Sequence, residues 1–274
     1  MVRACVLQGS ILKKVVEATK DVAAEGANLV FSTVGFSLKA TNPSLGAIVA
    51  VVLPADAFDS YHGVCTVSMI VDLHCMSRIF HVSSEDDIIT VEECPEPEGV
   101  SLVFQNPRHD KTSEFRMKEI SIDKEWLLHP LHIPEVEHHS ILETENLATL
   151  KMPSLVFQRI CSELADIGDS GSVLVTIKVT EEAIKFKTKG ELGTSIVTCS
   201  QKFDVQKPEE SVVIEMNEPV RVKFSLKLIN SVTKAASLSD RVTINFLREM
   251  PSVFEYKIAQ TGYARFYLHP SKEL

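Results

Sequence analysis

The hydrophobic pattern of this chain changes between two periods. Most apolar runs are short, rich in β-branched and aromatic residues, and end at turn residues, which predicts β-strands. These runs lie at residues 29–34, 47–53, 87–93, 100–105, 172–179, 183–189, 195–201, 211–216, 241–246 and 253–259. Four other segments repeat apolar residues every three to four positions, which predicts amphipathic helices over residues 10–24, 72–82, 154–167 and 224–238.

Each predicted helix has one apolar and one polar face. The positions expected to be buried are Ile11, Val15, Ala18 and Val22; Leu73, Met76 and Phe80; Val156, Ile160, Leu164 and Ile167; and Leu228, Ile229 and Val232. The four segments hold seven Lys or Arg and five Asp or Glu, although the whole chain has a net charge of −9. Basic charge is therefore concentrated on the helices of an acidic protein, which favours local contact with an acidic polymer over indiscriminate binding.

The order helix, strands, helix, strands occurs twice along the chain. A stretch rich in His, Pro and Glu separates the two halves, which predicts a duplication joined by a linker. We place an N-terminal domain at residues 1–118, an extended linker at 119–150 and a C-terminal domain at 151–274. Strand-rich halves with two helices each predict an α+β fold in which the sheets bury one face under the helices. The polar helix faces then point away from the sheets.

Composition narrows the class of protein. The chain has 274 residues, of which 45% are hydrophobic, enough to fill the cores of two domains. No run approaches the roughly 18 apolar residues that span a bilayer, so we expect an intracellular, soluble protein without membrane contact. The cysteines at 5, 65, 75, 94, 161 and 199 form no CxxC pair. Buried thiols in a reducing compartment explain them better than disulfides or zinc.

Enzyme motifs are missing from the sequence. It contains no phosphate-binding glycine loop, no GxSxG elbow and no HExxH pair. The acidic pairs Asp86–Asp87 and Glu92–Glu93 resemble a nuclease metal site only superficially, because neighbouring strand residues point to opposite faces and do not converge on one ion. We therefore predict a protein that is not an enzyme.

Histidines are concentrated in the linker, at 129, 132, 138 and 139, next to Glu135 and Glu137. Imidazole and carboxylate are zinc ligands, so a metal site is one interpretation. Prolines at 130 and 134 prevent a helical ligand spacing, which favours a flexible, pH-responsive surface loop instead. We predict no metal.

Several motifs follow one another in an order that is typical of a known family. They include QGSILKKVVEATKD at 8–21, FDSYH at 58–62, SEDDIIT at 84–90, KMPSLVFQRICSEL at 151–164, KGELG at 189–193 and EMNEPV at 215–220. Together they resemble proliferating cell nuclear antigen, the eukaryotic sliding clamp, from Met1 to about Pro270. The resemblance implies a head-to-tail homotrimeric ring of six similar domains, with sheets outside and helices lining a hole around duplex DNA. It also implies a nuclear protein without cofactors that tethers DNA polymerase and other replication and repair proteins, and a clamp loader that opens the ring.

The resemblance implies DNA-facing residues on the four helices. They are Lys13, Lys14, Lys20, Arg78, His81, Arg159, Lys227 and Lys234. His81 stands where the family usually has lysine, and Ser162 and Asp166 stand where basic residues are expected, so this channel is less positive than usual. Lysine contacts to the DNA backbone are independent of sequence, which allows a ring to slide.

A second implied site is a hydrophobic pocket for partner motifs of glutamine, an aliphatic residue and two aromatics. Its walls are Thr41, Gly46, Leu127, Ile133, Pro251, Tyr267, His269 and Pro270. The segment TNPSLG at 41–46 replaces a loop that is bulkier in the family. A smaller apolar area weakens docking, so we expect lowered affinity or a changed choice of partner.

A third implied site is the subunit interface, which joins an edge strand at 111–118 to another at about 192–201. Its predicted residues are Lys111, Phe115, Cys161, Leu164 and Ile196. Glu181 lies near the place where the family carries a lysine that accepts ubiquitin-like modifiers. Two alternatives to the homotrimeric clamp remain: a divergent paralogue in a hetero-oligomeric, checkpoint-type ring, and a clamp-fold interaction module that does not bind DNA.

Overall fold

The chain divides into two compact units. The computed structural model describes residues 2–6, 10–23, 26–63, 65–84, 87–96, 98–121, 146–167, 173–202, 206–207 and 210–271. Unit 1 comprises Met1–Asn42, Ile48–Pro130 and Lys257–Ala264, and unit 2 comprises Pro43–Ala47, Leu131–Tyr256 and Arg265–Leu274. Most of the predicted linker, residues 122–145, lies outside the described residues.

Within the described residues the order of elements repeats once. The strands of the first half are β1 Val2–Val6, β2 Ala27–Ser32, β3 Gly35–Asn42, β4 Ala47–Pro54, β5 Ser60–Gly63, β6 Val67–Val71, β7 Ile88–Pro95, β8 Glu98–Asn106 and β9 Lys111–Lys118. Those of the second are β10 Asn146–Pro153, β11 Leu174–Val179, β12 Ala183–Gly190, β13 Gly193–Ser200, β14 Val213–Met216, β15 Val220–Ser225, β16 Arg241–Leu247, β17 Ser252–Ile258 and β18 Gly262–Leu268. The helices are α1 Ser10–Thr19, α2 Leu73–Phe80, α3 Ser154–Ala165 and α4 Leu226–Thr233. In chain order, each half consists of one strand, one helix, five strands, one helix and three strands, as a duplication predicts.

All four helices are shorter than the sequence pattern indicated. Asp72 forms the N-cap of α2, because its carboxylate accepts hydrogen bonds from the backbone N–H groups of His74 at 2.8 Å and Cys75 at 3.1 Å. At its C-terminus, α4 tightens into a 3-10 turn at Lys234–Ser237. Within the described residues, none of these helices is long and apolar enough to cross a membrane.

The prediction for the buried face of α3 is wrong at Val156, and Ile167, also predicted to be buried, is half-buried beyond the end of the helix. Val156 is 42% exposed, whereas Phe157, Ile160, Cys161 and Leu164 are buried. The buried stripe thus starts at Phe157 and follows the i, i+3, i+4, i+7 spacing of a helix. Val156 lies in the first turn, about 100° away from Phe157 around the helix axis, and points to solvent.

Unit 1 packs its two helices against antiparallel strands. One sheet has the order β5-β1-β7-β8-β9, and the strands β4, β3, β2 and β6 are neighbours in a second sheet. Apolar side chains of α1 and α2 meet side chains of both sheets in one core, with Val15 and Met76 near Leu29 and Leu102. This core leaves the polar faces of α1 and α2 outside.

Unit 2 repeats this arrangement. One sheet has the order β13-β12-β11-β15, and β14, β10, β16 and β17 are neighbours in the other. Phe157 of α3 lies between the two, with ring centroids 6.1 Å from Phe186 of β12 and 6.1 Å from Phe254 of β17. The helices therefore cover one face of the β11–β13 sheet, and its other face is left to solvent.

The second half begins earlier than the predicted boundary. Residues 146–150, which we assigned to the linker, form the start of β10. In that strand Ala148, Leu150 and Met152 are all fully buried and alternate with more exposed residues. This period of two is the pattern of a strand that packs one face on a core.

Candidate nucleic-acid interface

The polar faces of α1 and α2 form the first part of the predicted DNA-contacting surface. The two helices lie beside each other in unit 1. Lys14 and Arg78 are exposed and Lys13 is half-buried. Within the described part of the chain, none of these three cations has a carboxylate within 4 Å. On the described part of the α1–α2 surface, these three cations are available to a phosphate.

Lys20, also predicted to face DNA, is instead held by an acidic neighbour. Its Nζ lies 2.7 Å from Glu17 Oε2 and 3.0 Å from Ser77 Oγ, and its side chain is only 18% exposed. The Ser77 hydroxyl also donates a hydrogen bond to Glu17, and His81 Nε2 lies 3.5 Å from the same carboxylate. We call Glu17, Lys20, Ser77 and His81 the Glu17 cluster. It joins α1 to α2 and balances the charge of Lys20.

The electrostatics of the Glu17 cluster follow from its contacts. Burial on its own raises the pKa of Glu17. Hydrogen bonds from Lys20 and Ser77, and the charges of Lys20 and His81, act in the opposite direction and leave the pKa of Glu17 below its ordinary value. Glu17 is therefore an anion near neutral pH, set among the cations of this surface.

The polar faces of α3 and α4 form the matching surface of unit 2. Gln158 Nε2 of α3 donates to the carbonyl oxygen of Thr233 of α4 at 3.3 Å, which fixes the two helices side by side. Lys227 and Lys234 are exposed, and Arg159 is 82% exposed with its Nε 2.9 Å from Glu163 Oε1. An exposed i, i+4 pair of this kind contributes about 0.3–0.5 kcal/mol, so Arg159 can exchange Glu163 for a phosphate. Ser162 and Asp166 are exposed on the same helix.

Lysine and arginine side chains on exposed helix faces can bind phosphates, and a phosphate contact carries no sequence information. Flexible ammonium groups act as point charges, and sequence readout needs polar side chains fitted to base edges in a groove. The chemistry available to both helix pairs is therefore salt-dependent, sequence-independent contact with a polyanion.

Both strands predicted to join subunits lie at sheet edges. β9 is the last strand of its sheet in unit 1, and β13 is the last strand of its sheet in unit 2. Lys111 is exposed on β9, and Phe115 is half-buried with its ring 5.6 Å from that of Phe104. Ile196 is 59% exposed on β13. An unpaired edge with an exposed apolar side chain is a surface that another strand can cover.

Two residues assigned to the same interface lie elsewhere. Cys161 is 1% and Leu164 0% exposed, and both side chains belong to the core of unit 2. They lie on the same face of α3 as Phe157, which is turned to the sheets, so they cannot offer surface to another subunit. Burial also raises the pKa of the Cys161 thiol well above its usual range, which keeps it protonated.

The predicted partner pocket is described in part. Gly46 has φ of +60°, and its carbonyl oxygen accepts a hydrogen bond from the backbone N–H of His269 at 2.9 Å. His269 is exposed and Pro270 half-buried, whereas Pro251 and Tyr267 are buried in unit 2. Thr41 is buried in unit 1. Leu127 and Ile133, like the linker histidines, lie outside the described residues.

Although the His269 side chain reaches solvent, the surrounding protein removes part of its hydration, and this desolvation lowers the pKa of His269 below its ordinary value of 6.5. Among the described residues, no group of three or more His, Cys, Asp or Glu side chains is placed to hold a metal ion.

Sequence reasoning missed a set of cations on the strands of unit 2. Lys185, Lys187 and Lys189 alternate with buried residues along β12. The spacing of two in KFKTK was the available signal, because it predicts one shared strand face.

Two helix pairs, each backed by antiparallel sheets in a duplicated α+β chain, define the sliding-clamp fold. The family model described as the proliferating cell nuclear antigen N-terminal domain matches residues 1–126, and that of the C-terminal domain matches residues 140–271. The chain belongs to the proliferating cell nuclear antigen family. Proteins of this family are generally non-enzymatic scaffolds of DNA replication and repair, and they are typically nuclear.

Proposed function

We propose that this protein is a DNA sliding clamp, a processivity factor that encircles duplex DNA and tethers DNA polymerase and other replication and repair proteins in the nucleus. The observation that carries the proposal is the placement of cations on exposed helix faces in both units, with Lys14 and Arg78 in unit 1 and Lys227 and Arg159 in unit 2. Sequence-independent contacts of this kind hold a protein on DNA while allowing it to move. The protein is not an enzyme in this proposal.

The proposed ring is a head-to-tail homotrimer that forms when β9 of one copy pairs with β13 of the next. Two different edges on one chain make a heterologous contact, which closes a ring if the rotation per subunit divides a full turn. Phe115 and Ile196 supply apolar surface at the two edges. Six similar domains then surround the axis.

Partner proteins dock in this proposal near Gly46 and His269, through a short motif of glutamine, an aliphatic residue and two aromatics. The physical advantage is effective concentration, because a polymerase tied to a closed ring does not diffuse away from its template. A clamp loader is the expected partner that opens the ring. The linker, which precedes β10 and so ends before residue 146, completes the docking surface in this proposal.

Oligomeric mass tests the ring directly. Light scattering at micromolar concentration is expected to give three times the chain mass of 30.4 kDa. A species that remains monomeric under these conditions overturns the homotrimeric clamp.

Topological retention tests the activity. After loading by a clamp loader onto nicked circular duplex, the protein is expected to remain bound in high salt and to be lost once the circle is cut, since linear DNA lets a ring slide off. Equal retention on both DNAs, or on neither, contradicts the proposed mechanism. A variant with glutamine at four helix positions is expected to be retained for a shorter time and to keep the same oligomeric mass. The replaced residues are Lys14, Arg78, Lys227 and Lys234.

Titration calorimetry tests partner docking separately. A peptide carrying the glutamine and aromatic motif is expected to bind, with an affinity lowered by the small Thr41–Gly46 segment, and a matched peptide with both aromatics changed to alanine is expected not to bind. If the first peptide gives no heat of binding, the proposed tethering of partner proteins is contradicted. The proposed DNA binding is tested separately by the retention assay.

One observation favours the paralogue that joins a hetero-oligomeric ring. The Glu17 cluster balances Lys20, so the cationic surface of unit 1 is smaller than its lysine count indicates. A ring with more basic subunits would compensate for this loss. Mixing tagged and untagged copies distinguishes the two, because only a homotrimer brings the untagged copy through tag purification in the absence of other chains.

A further inference from the structure

The outer face of the β11–β13 sheet in unit 2 carries a dense set of cations. Lys178 of β11, Lys185, Lys187 and Lys189 of β12 and Arg221 of β15 are all exposed, and Lys223 of β15 is half-buried. We call these six residues the sheet cation patch. They come from three strands of a chain whose net charge is −9.

The strand register places the patch on one face. Lys178 pairs with Lys185 on one side and with Arg221 on the other, and Thr176 pairs with Lys187 and with Lys223. Directly paired residues share a sheet face. The opposite face is the core side, where Ile177, Phe186 and Phe224 are almost fully buried.

This arrangement is unfavourable unless something neutralises it. Like charges directly opposite each other on neighbouring strands destabilise a sheet, and Lys178 has such a neighbour on both sides. In the described part of the chain, none of the five exposed cations has a carboxylate within 4 Å. Acidic residues border the patch at Glu181 and Glu182 in one turn and at Glu191 in the next, and Glu191 lines the same depression as Lys187 and Arg221.

Unit 1 provides an internal comparison. In the repeated element order, β11, β12, β13 and β15 correspond to β2, β3, β4 and β6 of the first half, and the face of β2, β3 and β6 that points away from the core carries Asn28, Lys39 and Ser68. Lys39 is the one charged residue at these paired positions of β2, β3 and β6, and it is half-buried. The cationic face is thus a property of unit 2 and not a general feature of this fold.

The patch has the chemistry of a phosphate-backbone contact. Strands are about 4.8 Å apart, so cations on β15 and β12 are about 10 Å apart, between the minor-groove width of about 6 Å and the major-groove width of about 12 Å. Side chains of this length reach phosphates on both sides of one groove. Five of the six are lysines, which act as point charges without the fixed fork geometry that suits recognition of individual carboxylates.

The exposed neighbours of the patch decide which nucleic acid it fits. Leu174, Thr176, Thr194, Ile196 and Thr198 share this face, and none is aromatic. Proteins that hold single strands usually stack the unpaired bases on aromatic side chains. A duplex needs no such platform, because its bases already stack on one another and only its phosphates face the protein.

We propose that the sheet cation patch is a second binding surface for duplex DNA, on the face of unit 2 opposite α3 and α4. It holds the backbone of a duplex segment that does not pass along the helices. Binding is independent of sequence, weak at physiological salt and separate from ring closure. The patch therefore goes beyond the clamp function proposed above; its test with closed circles uses the proposed ring, and the helix variant separates the two surfaces whether or not a ring forms.

Covalently closed circular duplex without a clamp loader tests this surface. A closed ring cannot thread onto a closed circle, so the circle reaches only outer surfaces. The test variant neutralises Lys178, Lys185, Lys187 and Arg221 with glutamine, and a matched variant neutralises Lys14, Arg78, Lys227 and Lys234 on the helices. A third variant changes Lys178, Lys185 and Lys187 to arginine and keeps Arg221.

The wild type, the helix variant and the arginine variant are expected to bind the closed circle in low salt, and the patch variant is expected to lose binding at least tenfold. The slope of log affinity against log salt is expected to fall in magnitude by about 3 to 4 for four lost phosphate contacts. Thermal unfolding of the patch variant is expected to be unchanged or slightly higher, since like-charge neighbours are removed.

Three outcomes overturn the proposal. Equal binding by the patch variant and the wild type removes the surface from DNA binding. Tighter binding to single-stranded circles than to duplex circles contradicts the assignment to duplex. Tighter binding to a polyglutamate peptide than to a duplex of equal charge assigns the surface to an acidic protein instead. The retention assay on nicked circles with a loader reports on the clamp function independently of all three.

Discussion

Lys20 Nζ lies 2.7 Å from Glu17 Oε2, so a lysine expected to face DNA is paired with an acid of its own helix region. Both groups also contact Ser77, 57 residues from Lys20 along the chain. This contact reduces the positive charge that α1 and α2 present, so Glu17 is the residue at which the proposed DNA contact of unit 1 can be tested.

Glu17→Gln is expected to raise affinity for duplex DNA a few-fold in low salt. The change removes the anion beside Lys20 and His81, so Lys20 gains one phosphate contact and the slope of log affinity against log salt steepens by about 0.9. Fluorescence anisotropy with a short duplex measures both quantities. Glu163→Gln is the matched control: it frees Arg159, which is already 82% exposed, and is expected to have the smaller effect. Unchanged affinity in Glu17→Gln contradicts the prediction.

Acid stability reports on the same carboxylate. Because the pKa of Glu17 is lower in the folded protein than its ordinary value of 4.5, the unfolded chain takes up a proton first as pH falls. The stabilisation by the Glu17 carboxylate is therefore fully present above about pH 4.5 and is lost as the pH falls through the folded-state pKa. Urea unfolding at pH 7 and at pH 3.5 is expected to show a smaller loss of stability in Glu17→Gln than in the wild type. An equal loss in both proteins would mean that Glu17 does not contribute.

Substitutions at Leu164 and Ile196 of unit 2 distinguish a core residue from a proposed interface residue. Leu164→Ala is expected to lower the free energy of unfolding by about 2–5 kcal/mol, because it leaves a cavity at a fully buried side chain. Ile196→Asp is expected to leave the folded subunit within about 0.5 kcal/mol of the wild type, as surface changes usually do, and to dissociate the ring. Denaturation below the association range and light scattering above it measure the two effects. A trimeric Ile196→Asp variant would show that β13 is not the interface strand. Thr198→Asp adds the same charge to the same face of β13 and is the control.

Gly46→Ala is expected to destabilise unit 2 by about 1–2 kcal/mol. The φ of +60° at Gly46 is left-handed and costs a residue with a Cβ about that much, and the added Cβ would lie 3.2 Å from His269 Cβ. Gly46→Asn separates the causes, since asparagine tolerates the left-handed region but carries the same Cβ. Thermal unfolding of both variants is the measurement. Equal losses would assign the cost to the contact, and no loss in either would contradict the local geometry.

His269 is expected to make stability depend on pH near neutrality. Partial desolvation lowers the pKa of His269 in the folded protein below 6.5, so between the folded-state pKa and pH 6.5 the unfolded chain holds more protons. Stability is then present above about pH 6.5 and decreases as pH falls towards the folded-state pKa. Urea unfolding at pH 5.5 and 7.5 is expected to show this decrease in the wild type and in His62→Gln, an exposed control on β5, and less of it in His269→Gln. The same decrease in His269→Gln refutes the assignment.

The local patterns of the sequence determined the elements and their faces. Leu73, Met76 and Phe80 are buried and Arg78 is exposed, because a period of 3.6 residues is a property of one helix alone. The motifs that resemble the clamp family are likewise contiguous, so the family and its α+β fold follow from them without any long-range contact.

Pairing between distant segments was decided only by the tertiary structure. The sequence placed Lys185 and Lys187 on one face of β12, but only strand register brings Lys178 and Arg221 beside them. The contact between Lys20 and Ser77 likewise depends on how α1 lies against α2. Side-chain periods are fixed by backbone geometry within one element, whereas register and helix packing are fixed by the burial of side chains from many elements at once, and a single segment does not encode them.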